Sequence, residues 1–336
     1  FTFEDEQTTV ELSKADLTDK KELPGASLKV TDEDGNTVDE WVSKEEAHII
    51  KGLIVGKKYK MTETKPADGY VTAESIEFTV ENTKEVQKHQ MLDDVTKVEI
   101  SKKDITDSSE VPGAKLIILD KDGKKVESWT STDKPHMVEK LPVGEYTLRE
   151  EQAPDGYLIA EDVKFTVKDT GKVQKVKMKD AHPYGKLVIK KTDSTSKAAL
   201  SGAEFELREK ESGKVVEKLV TDKTGTATSG KLPIATYKNG KVEKTVEYIL
   251  VETKAPNGYE LSSKKEEIRF EYKDGKTKVI EIVKEIKNTK SPSGSTPTGN
   301  SPKTGDSTNI WLPILLAVLS ACGIGGVIWY KKKKGN

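Results

Sequence analysis

The chain has 336 residues, of which 34% are charged, with 56 basic and 57 acidic side chains giving a net charge of −1. That length suits two or three domains, and the even mixture of charges leaves no basic patch of the kind nucleic-acid binding needs. The single cysteine, Cys322, lies in an apolar run near the C-terminus, so no disulfide framework is available to small domains.

In chain order the first feature is a fragment. Within residues 1–6, FTFEDE, residues 3–6 align with the end of a later repeat, residues 91–94. They read as the last strand of a truncated preceding unit, and the expectation is that the chain is the C-terminal part of a longer protein. Three units then follow, at residues 7–95, 96–183 and 184–290. Lys14 in VELSKAD recurs as Lys102 in VEISKKD and Lys191 in LVIKKTD. ETKPADGY at 63–70 recurs as EEQAPDGY at 150–157 and ETKAPNGY at 252–259. The third unit is longer, with extra sequence somewhere in 224–247. Such self-similarity marks a repeat architecture.

Within each unit, short alternating runs rich in Val, Ile, Thr and Tyr are separated by DG, GK and PxGY turns, the signature of strands and hairpins. About seven strands per unit predict three tandem antiparallel β-sandwiches, an all-β fold. Units this small have a marginal core by burial alone. The DEDGN segment at 32–36 resembles the start of a calcium loop. Its recurrence as DKDGK at 120–124 between alternating runs reads as a hairpin turn. His48, His89, His136 and His182 do not cluster at metal-ligand spacing and read as solvated surface; no metal or cofactor is expected. Trp41 and Trp129 recur at equivalent positions and read as packing residues. Lysine pairs such as Lys57 with Lys58 and Lys264 with Lys265 read as solvated strand edges.

The chemistry lies in strand parity, because alternate residues of a strand share a face. Val10 and Leu12 share parity with Lys14, as do Val98 and Ile100 with Lys102, and Leu187 and Ile189 with Lys191. Before the PxGY turn, Tyr59 and Met61 share parity with Glu63. Tyr146 and Leu148 do so with Glu150, and Tyr248 and Leu250 with Glu252. In the last strand Met91 goes with Asp93, Met178 with Asp180, and Ile286 with Asn288. Each unit therefore aims one Lys, one Glu and one Asp or Asn into its apolar interior. Parity disfavours the neighbouring alternatives Lys103 and Glu151. Buried charges must meet partners or neutralise. A neutral lysine amine is a nucleophile, and a protonated Glu can polarise the carbonyl of the Asp or Asn side chain. At contact distance the amine could condense with that carbon and expel water or ammonia. A salt-bridged Lys between carboxylates, with no covalent bond, is the simpler alternative. Condensation consumes its own residues, so an enzyme with turnover is not expected.

These units resemble Cna B-type (SpaA-type, prealbumin-like) domains of Gram-positive adhesins and pilins. That resemblance implies autocatalytic isopeptide bonds assisted by the Glu of an ETxAPxGY segment. Carried over, Lys14 would bond Asp93 with Glu63 assisting, Lys102 would bond Asp180 with Glu150, and Lys191 would bond Asn288 with Glu252. Asp5 would be the orphan acceptor of the missing unit. The first unit has PADGY where APDGY is usual.

After the repeats comes a Ser/Pro/Gly/Thr-rich linker at 291–300, a composition that favours an extended chain. Ser301, Pro302, Lys303, Thr304 and Gly305 spell SPKTG. An apolar run at 310–330 follows, about the length of a bilayer-crossing helix. Trp311, Trp329 and Tyr330 sit near its ends, and four lysines at 331–334 place the C-terminus in the cytoplasm. This tail, 301–336, resembles the LPxTG-type cell-wall sorting signal of Gram-positive surface proteins, with Ser301 where Leu is usual. The resemblance implies cleavage by a sortase between Thr304 and Gly305, transfer of the Thr304 carboxyl to peptidoglycan, and a membrane span that is transient. The expectation is a secreted, wall-anchored stalk presenting an N-terminal adhesive region. The alternatives are a minor or basal pilin joined to other pilin subunits, and repeats that bind a host matrix protein directly.

Overall fold

The computed structural model describes residues 7–292. Asp5, SPKTG, the apolar run and the linker beyond Pro292 lie outside the described residues. Every named element among the described residues is a β-strand, and no helix there is long and apolar enough to cross a membrane.

The first repeat contains β1 (Thr9–Asp16), β2 (Ser27–Thr31), β3 (Thr37–Val42), β4 (His48–Lys51), β5 (Lys58–Lys65), β6 (Ile76–Thr79) and β7 (Gln87–Asp93). One sheet runs β4-β1-β7 and the other β3-β2-β5-β6. The second repeat copies this plan with β8 (Lys97–Asp104), β9 (Lys115–Leu119), β10 (Lys125–Thr130), β11 (His136–Glu139), β12 (Gly144–Gln152), β13 (Val163–Val167) and β14 (Val173–Asp180). The third opens with β15 (Tyr184–Asp193), β16 (Glu204–Glu209), β17 (Val215–Val220), β18 (Thr226–Thr228) and β19 (Leu232–Pro233). It continues with β20 (Ala235–Lys238), β21 (Lys241–Thr245), β22 (Glu247–Lys254), β23 (Lys265–Arg269) and β24 (Val279–Asn288). Between the two sheets of each repeat lies one apolar core, such as Val10, Leu12, Leu28, Met61 and Met91 in the first. Each such buried side chain contributes about 1.5–3 kcal/mol relative to exposure.

One expectation needs correcting. The sandwiches are not wholly antiparallel: β1 pairs with β7 in parallel, as β8 does with β14 and β15 with β24. Parallel neighbours need a long crossover, and all the intervening strands of the repeat supply it. Period-two alternation carries no information on strand direction, so the pattern of apolar residues was silent on this. The consequence is positional: the chain enters each sandwich at one end of the first strand and leaves at the opposite end.

The extra sequence of the third repeat forms the β20–β21 hairpin, which reaches back to the second repeat. Tyr237 Oη donates to Gly156 O at 2.8 Å, and its ring stacks on His182 at 3.5 Å and meets Tyr157 edge-on at 5.2 Å. At the hairpin tip, a Cβ on Gly240 would collide with the Glu110 carbonyl oxygen. Across the same joint the Ile159 amide donates to Gly275 O at 2.7 Å. The first joint is polar instead. The Thr96 amide donates to Gly69 O at 3.0 Å, Lys140 Nζ to Tyr70 Oη at 2.6 Å, and Thr72 donates twice to Asp169, at 2.9 and 2.7 Å.

The histidines also depart from a solvated reading. His182 is held by Asp104 at 2.9 Å and by its stack on Tyr237. His89 stacks on Phe78 at 4.5 Å, its Nε2 buried without a hydrogen-bond partner, and burial lowers its pKa. Trp41 and Trp129 stack on His48 and His136 at 4.1 and 4.4 Å and pack against their cores. Asp32 accepts the amides of Asp34 and Asn36 and closes the β2–β3 turn.

Replacing Tyr237 by Ala should weaken the second joint by on the order of 2 kcal/mol. Hydrogen exchange should show the Ile159 amide losing protection while the amides of Leu187 and Ile189 keep theirs.

Candidate functional site

Alternation along the first strand of each repeat leaves Lys14, Lys102 and Lys191 on the buried face. The strand before the PxGY turn does the same for Glu63, Glu150 and Glu252, and the last strand for Asp93, Asp180 and Asn288. All nine residues are at most 4% exposed. The structure brings them together as three triads. In each, the lysine Nζ touches the Oδ1 atom of the acceptor, Asp93, Asp180 or Asn288. It also lies 2.9 Å from the carboxyl of Glu63, Glu150 or Glu252. The neighbouring candidates go elsewhere: Lys103 pairs with Glu110 at 2.7 Å, and Glu151 is exposed. Among the described residues no cluster is arranged to hold a metal ion.

The glutamates are also fixed by backbone amides. Glu63 Oε2 accepts the Ala73 amide at 2.6 Å, Glu150 Oε2 the Ala160 amide at 2.6 Å, and Glu252 Oε2 the Ser262 amide at 2.8 Å. Each donor lies just past the PxGY turn, which folds the chain back over the glutamate. The turn glycines, Gly69, Gly156 and Gly258, have φ of +85°, +89° and +81°, a conformation costly for residues with a Cβ. The exchange of Pro66 and Ala67 in the first repeat leaves the turn intact, with the Tyr70 amide donating to Ala67 O at 3.0 Å.

Burial pushes Asp93 and Asp180 up to about 7. The adjoining lysines oppose that shift and Glu63 and Glu150 add to it. Asp93 Oδ2 and Asp180 Oδ2 are buried and accept no hydrogen bond. A proton held there against the neighbouring glutamate would satisfy both carboxyls. Burial also lowers the Lys191 pKa, which favours the free amine. In the third triad Asn288 Nδ2 donates to Glu252 at 2.9 and 3.2 Å. Glu252 therefore faces the amide nitrogen, not the carbonyl oxygen that the reading of the sequence assigned to it. The arrangement can bring a neutral amine to a carboxyl or amide carbon, with a carboxyl beside the group that would leave.

Sequence reasoning missed a second recurrent contact. Tyr70 Oη donates to Asp16 Oδ2 at 2.8 Å, Tyr157 Oη to Asp104 Oδ2 at 2.7 Å, and Tyr259 Oη to Asp193 Oδ2 at 2.9 Å. The signal was present, since each Asp follows its lysine by two residues with the same parity. Burial alone would raise Asp16 and Asp104, but hydrogen bonds from the Thr18 or Thr106 amide and the tyrosine outweigh it and hold both at about 2. Asp193 is held at about 2 by the Ser196 and Thr195 amides and Tyr259.

Two stacked sheets per repeat, a parallel pairing of first and last strands and a buried Lys–Glu–Asp or Lys–Glu–Asn triad define a class of tandem prealbumin-like modules. The model of the SpaA prealbumin-like fold domain matches residues 8–94, 96–182 and 185–286, and the chain belongs to that family. Among solved structures it is similar to the Bacillus anthracis TIE protein, at 27% identity and a TM-score of 0.56. That match covers 85% of this chain and 52% of the other, so the chain spans about half of that protein's length. It is also similar in fold to BcpA, the major pilin subunit of Bacillus cereus, at 18% identity and a TM-score of 0.50. There it covers 85% of this chain and 100% of that one. No curated protein matches.

Replacing Lys14 by Met takes from the buried Glu63 and Asp93 the amine that contacts both. The first repeat should lose roughly 3–5 kcal/mol at pH 7. Stability should recover as pH falls and the carboxyls take up protons, which thermal melts across pH would read.

Proposed function

We propose that each triad condenses into an isopeptide bond, and that the repeats form the stalk of a sortase-anchored surface protein of Gram-positive type. The observation that carries the reading is the threefold recurrence of one buried contact joining the first and last strands of a repeat. In the first two repeats the uncharged lysine amine would attack Cγ of the protonated Asp. The Nζ–Cγ bond forms, the Cγ–OH bond breaks, and water leaves. The glutamate takes a proton from the attacking nitrogen and passes it to the departing oxygen, ending as it began. In the third repeat Lys191 attacks Cγ of Asn288 and ammonia leaves. The hydrogen bonds from Asn288 Nδ2 to Glu252 set the proton donor beside that leaving nitrogen.

The C-terminal part of the proposal rests on sequence. SPKTG, the apolar run and the lysine tail would retain the chain in the membrane until a sortase cuts between Thr304 and Gly305. The Thr304 carboxyl would then pass to peptidoglycan and leave the repeats outside the cell, holding an N-terminal adhesive region away from the wall. A pilin subunit is the second reading, favoured by the fold shared with BcpA over that chain's whole length. In that case Thr304 would join a lysine of another subunit.

Tryptic mapping of the chain should yield three branched peptides, joining Lys14 to Asp93, Lys102 to Asp180 and Lys191 to Asn288. The mass losses should be about 18 Da for each Asp bond and about 17 Da for the Asn bond, from the condensation chemistry. Glu63→Gln should abolish the first branch alone, and linear peptides throughout would end the proposal.

Wall digests of cells carrying the protein separate the two anchoring readings. A stalk gives a single wall-linked species that Thr304→Ala releases, whereas a pilin gives a high-mass ladder. Material that stays in the membrane fraction with SPKTG uncut would exclude both.

A further inference from the structure

Just beyond each triad the three strands that carry it are tied to one another in a closed triangle. The first side runs from the lysine strand to the acceptor strand. The Leu17 amide donates to Asp93 O at 2.8 Å, the Ile105 amide to Asp180 O at 3.0 Å, and the Ser194 amide to Asn288 O at 2.9 Å. The second side runs from the PxGY turn to the same acceptor strand, one residue on. Val71 donates to Asp94 O, Leu158 to Ala181 O, and Glu260 to Thr289 O, each at 2.9 Å. The third side closes the figure from the turn to the lysine strand. It is the Tyr–Asp bond, Tyr70 to Asp16, Tyr157 to Asp104 and Tyr259 to Asp193.

The third side differs from the other two in being made by side chains. Its aspartate is itself fixed. Asp16 Oδ1 accepts the Thr18 amide at 2.7 Å, Asp104 Oδ1 the Thr106 amide at 2.6 Å, and Asp193 Oδ1 the Thr195 amide at 2.8 Å. The tyrosine therefore meets an oriented carboxylate. The aspartate lies two residues past the lysine on one strand, and the tyrosine ends the turn that begins at the glutamate. A bond between them sets the glutamate-bearing segment against the lysine-bearing strand. Without it, the first two sides tie each segment to the acceptor strand but leave lysine and glutamate free to shift against each other.

We propose that Tyr70, Tyr157 and Tyr259, through Asp16, Asp104 and Asp193, are positioning residues for the condensation. They touch neither the amine nor the acceptor carbon, and act by holding the glutamate in reach of both. This rests on the cross-linking reading above. A proton relay among three side chains tolerates little misplacement, and a shift of about 1 Å can cost on the order of 100-fold in rate.

The test is Tyr70→Phe in the full chain, which keeps the ring and removes the hydroxyl. The chain is made in a cell-free system and sampled over time, with branched peptides quantified in each repeat. Hydrogen exchange at Val10 and Leu12 reports whether the first repeat is folded. The expected result is a folded first repeat whose Lys14–Asp93 branch forms about 10- to 100-fold more slowly, while the second and third repeats close at the wild-type rate. Asp16→Asn with Tyr70 kept, which leaves one side-chain carbonyl able to accept the tyrosine hydroxyl, should slow the branch less than Tyr70→Phe does. A branch forming at the wild-type rate in the folded variant overturns the proposal. So does cross-linking lost only in step with exchange protection, which would mark a purely structural bond. Branches missing from the wild-type chain would remove the cross-linking reading itself, a result that the second and third repeats distinguish from failure of the tyrosine role.

Discussion

The repeats are organised around a requirement that a lysine amine and two carboxyl or amide groups be buried together. None of them can be left alone in an apolar interior, where an unpaired charge costs several kcal/mol. Their mutual contact dictates which strands are neighbours. Lys14 and Asp93 lie on adjacent strands of one sheet, and Glu63 reaches them from the facing sheet. The sheets are thus stitched at a polar point inside an apolar sandwich. The cluster is satisfied only when all three members arrive, so it specifies strand order and register more sharply than the surrounding Val, Leu and Met can. If condensation follows, the lysine and its acceptor become one neutral amide, and the desolvation cost that those two groups carried is removed while the glutamate stays buried beside the new bond.

Much of this was legible in the sequence, and for a definable reason. Strand parity is a local property, so Lys14 among Val10 and Leu12, Glu63 after Tyr59 and Met61, and Asp93 after Met91 all announced their direction. Repetition at three places made the pattern more than chance. The parallel pairing of β1 with β7 was not legible, because alternation is the same whichever way a strand runs. Asp16 shared the parity of Lys14 and could have been found. It was overlooked because an Asp after a strand also reads as an ordinary turn residue, a role it does fill towards Thr18. The partners of Lys140, His182 and Tyr237 depend on how one repeat meets the next, and no local pattern encodes that. For the same reason His182 and His89 read as surface residues when taken singly.

The two joints use different physics. The first is built from Lys140, Thr96, Thr72 and Asp169, with hydrogen bonds that water and salt can contest. The second adds an aromatic cluster, with Tyr237 set between His182 and Tyr157 and Val111 and Ala153 beside it. Apolar and stacking contacts of that kind are not weakened by charge screening. The β20–β21 hairpin is thus a local addition that converts a polar joint into a packed one. In both joints the following repeat touches the Tyr–Asp pair of the preceding one: Lys140 approaches Tyr70 and Asp16, and the Tyr237 ring meets Tyr157 edge-on. The end of each of the first two sandwiches where the triad lies is therefore also the end that the next repeat engages.

That coincidence bears on how a chain of this kind would carry tension. Parallel pairing puts entry and exit at opposite ends of a repeat. Force applied to the chain enters at the start of β1 and leaves beyond β7. With Lys14 joined to Asp93, it would run along β1, cross at the triad and pass directly through Val95 and Thr96 into the next repeat. Strands β2 to β6, and nearly all of β7, would lie off that path and could not be drawn out. Without a covalent link the same force would have to be resisted by the hydrogen bonds between β1 and its neighbours. Such a link near the entry end would spare β1 from load but would leave β7 exposed to peeling from its C-terminal end. At the exit end it protects the longest stretch of folded chain, and there the Tyr–Asp triangle and the inter-repeat contacts also converge.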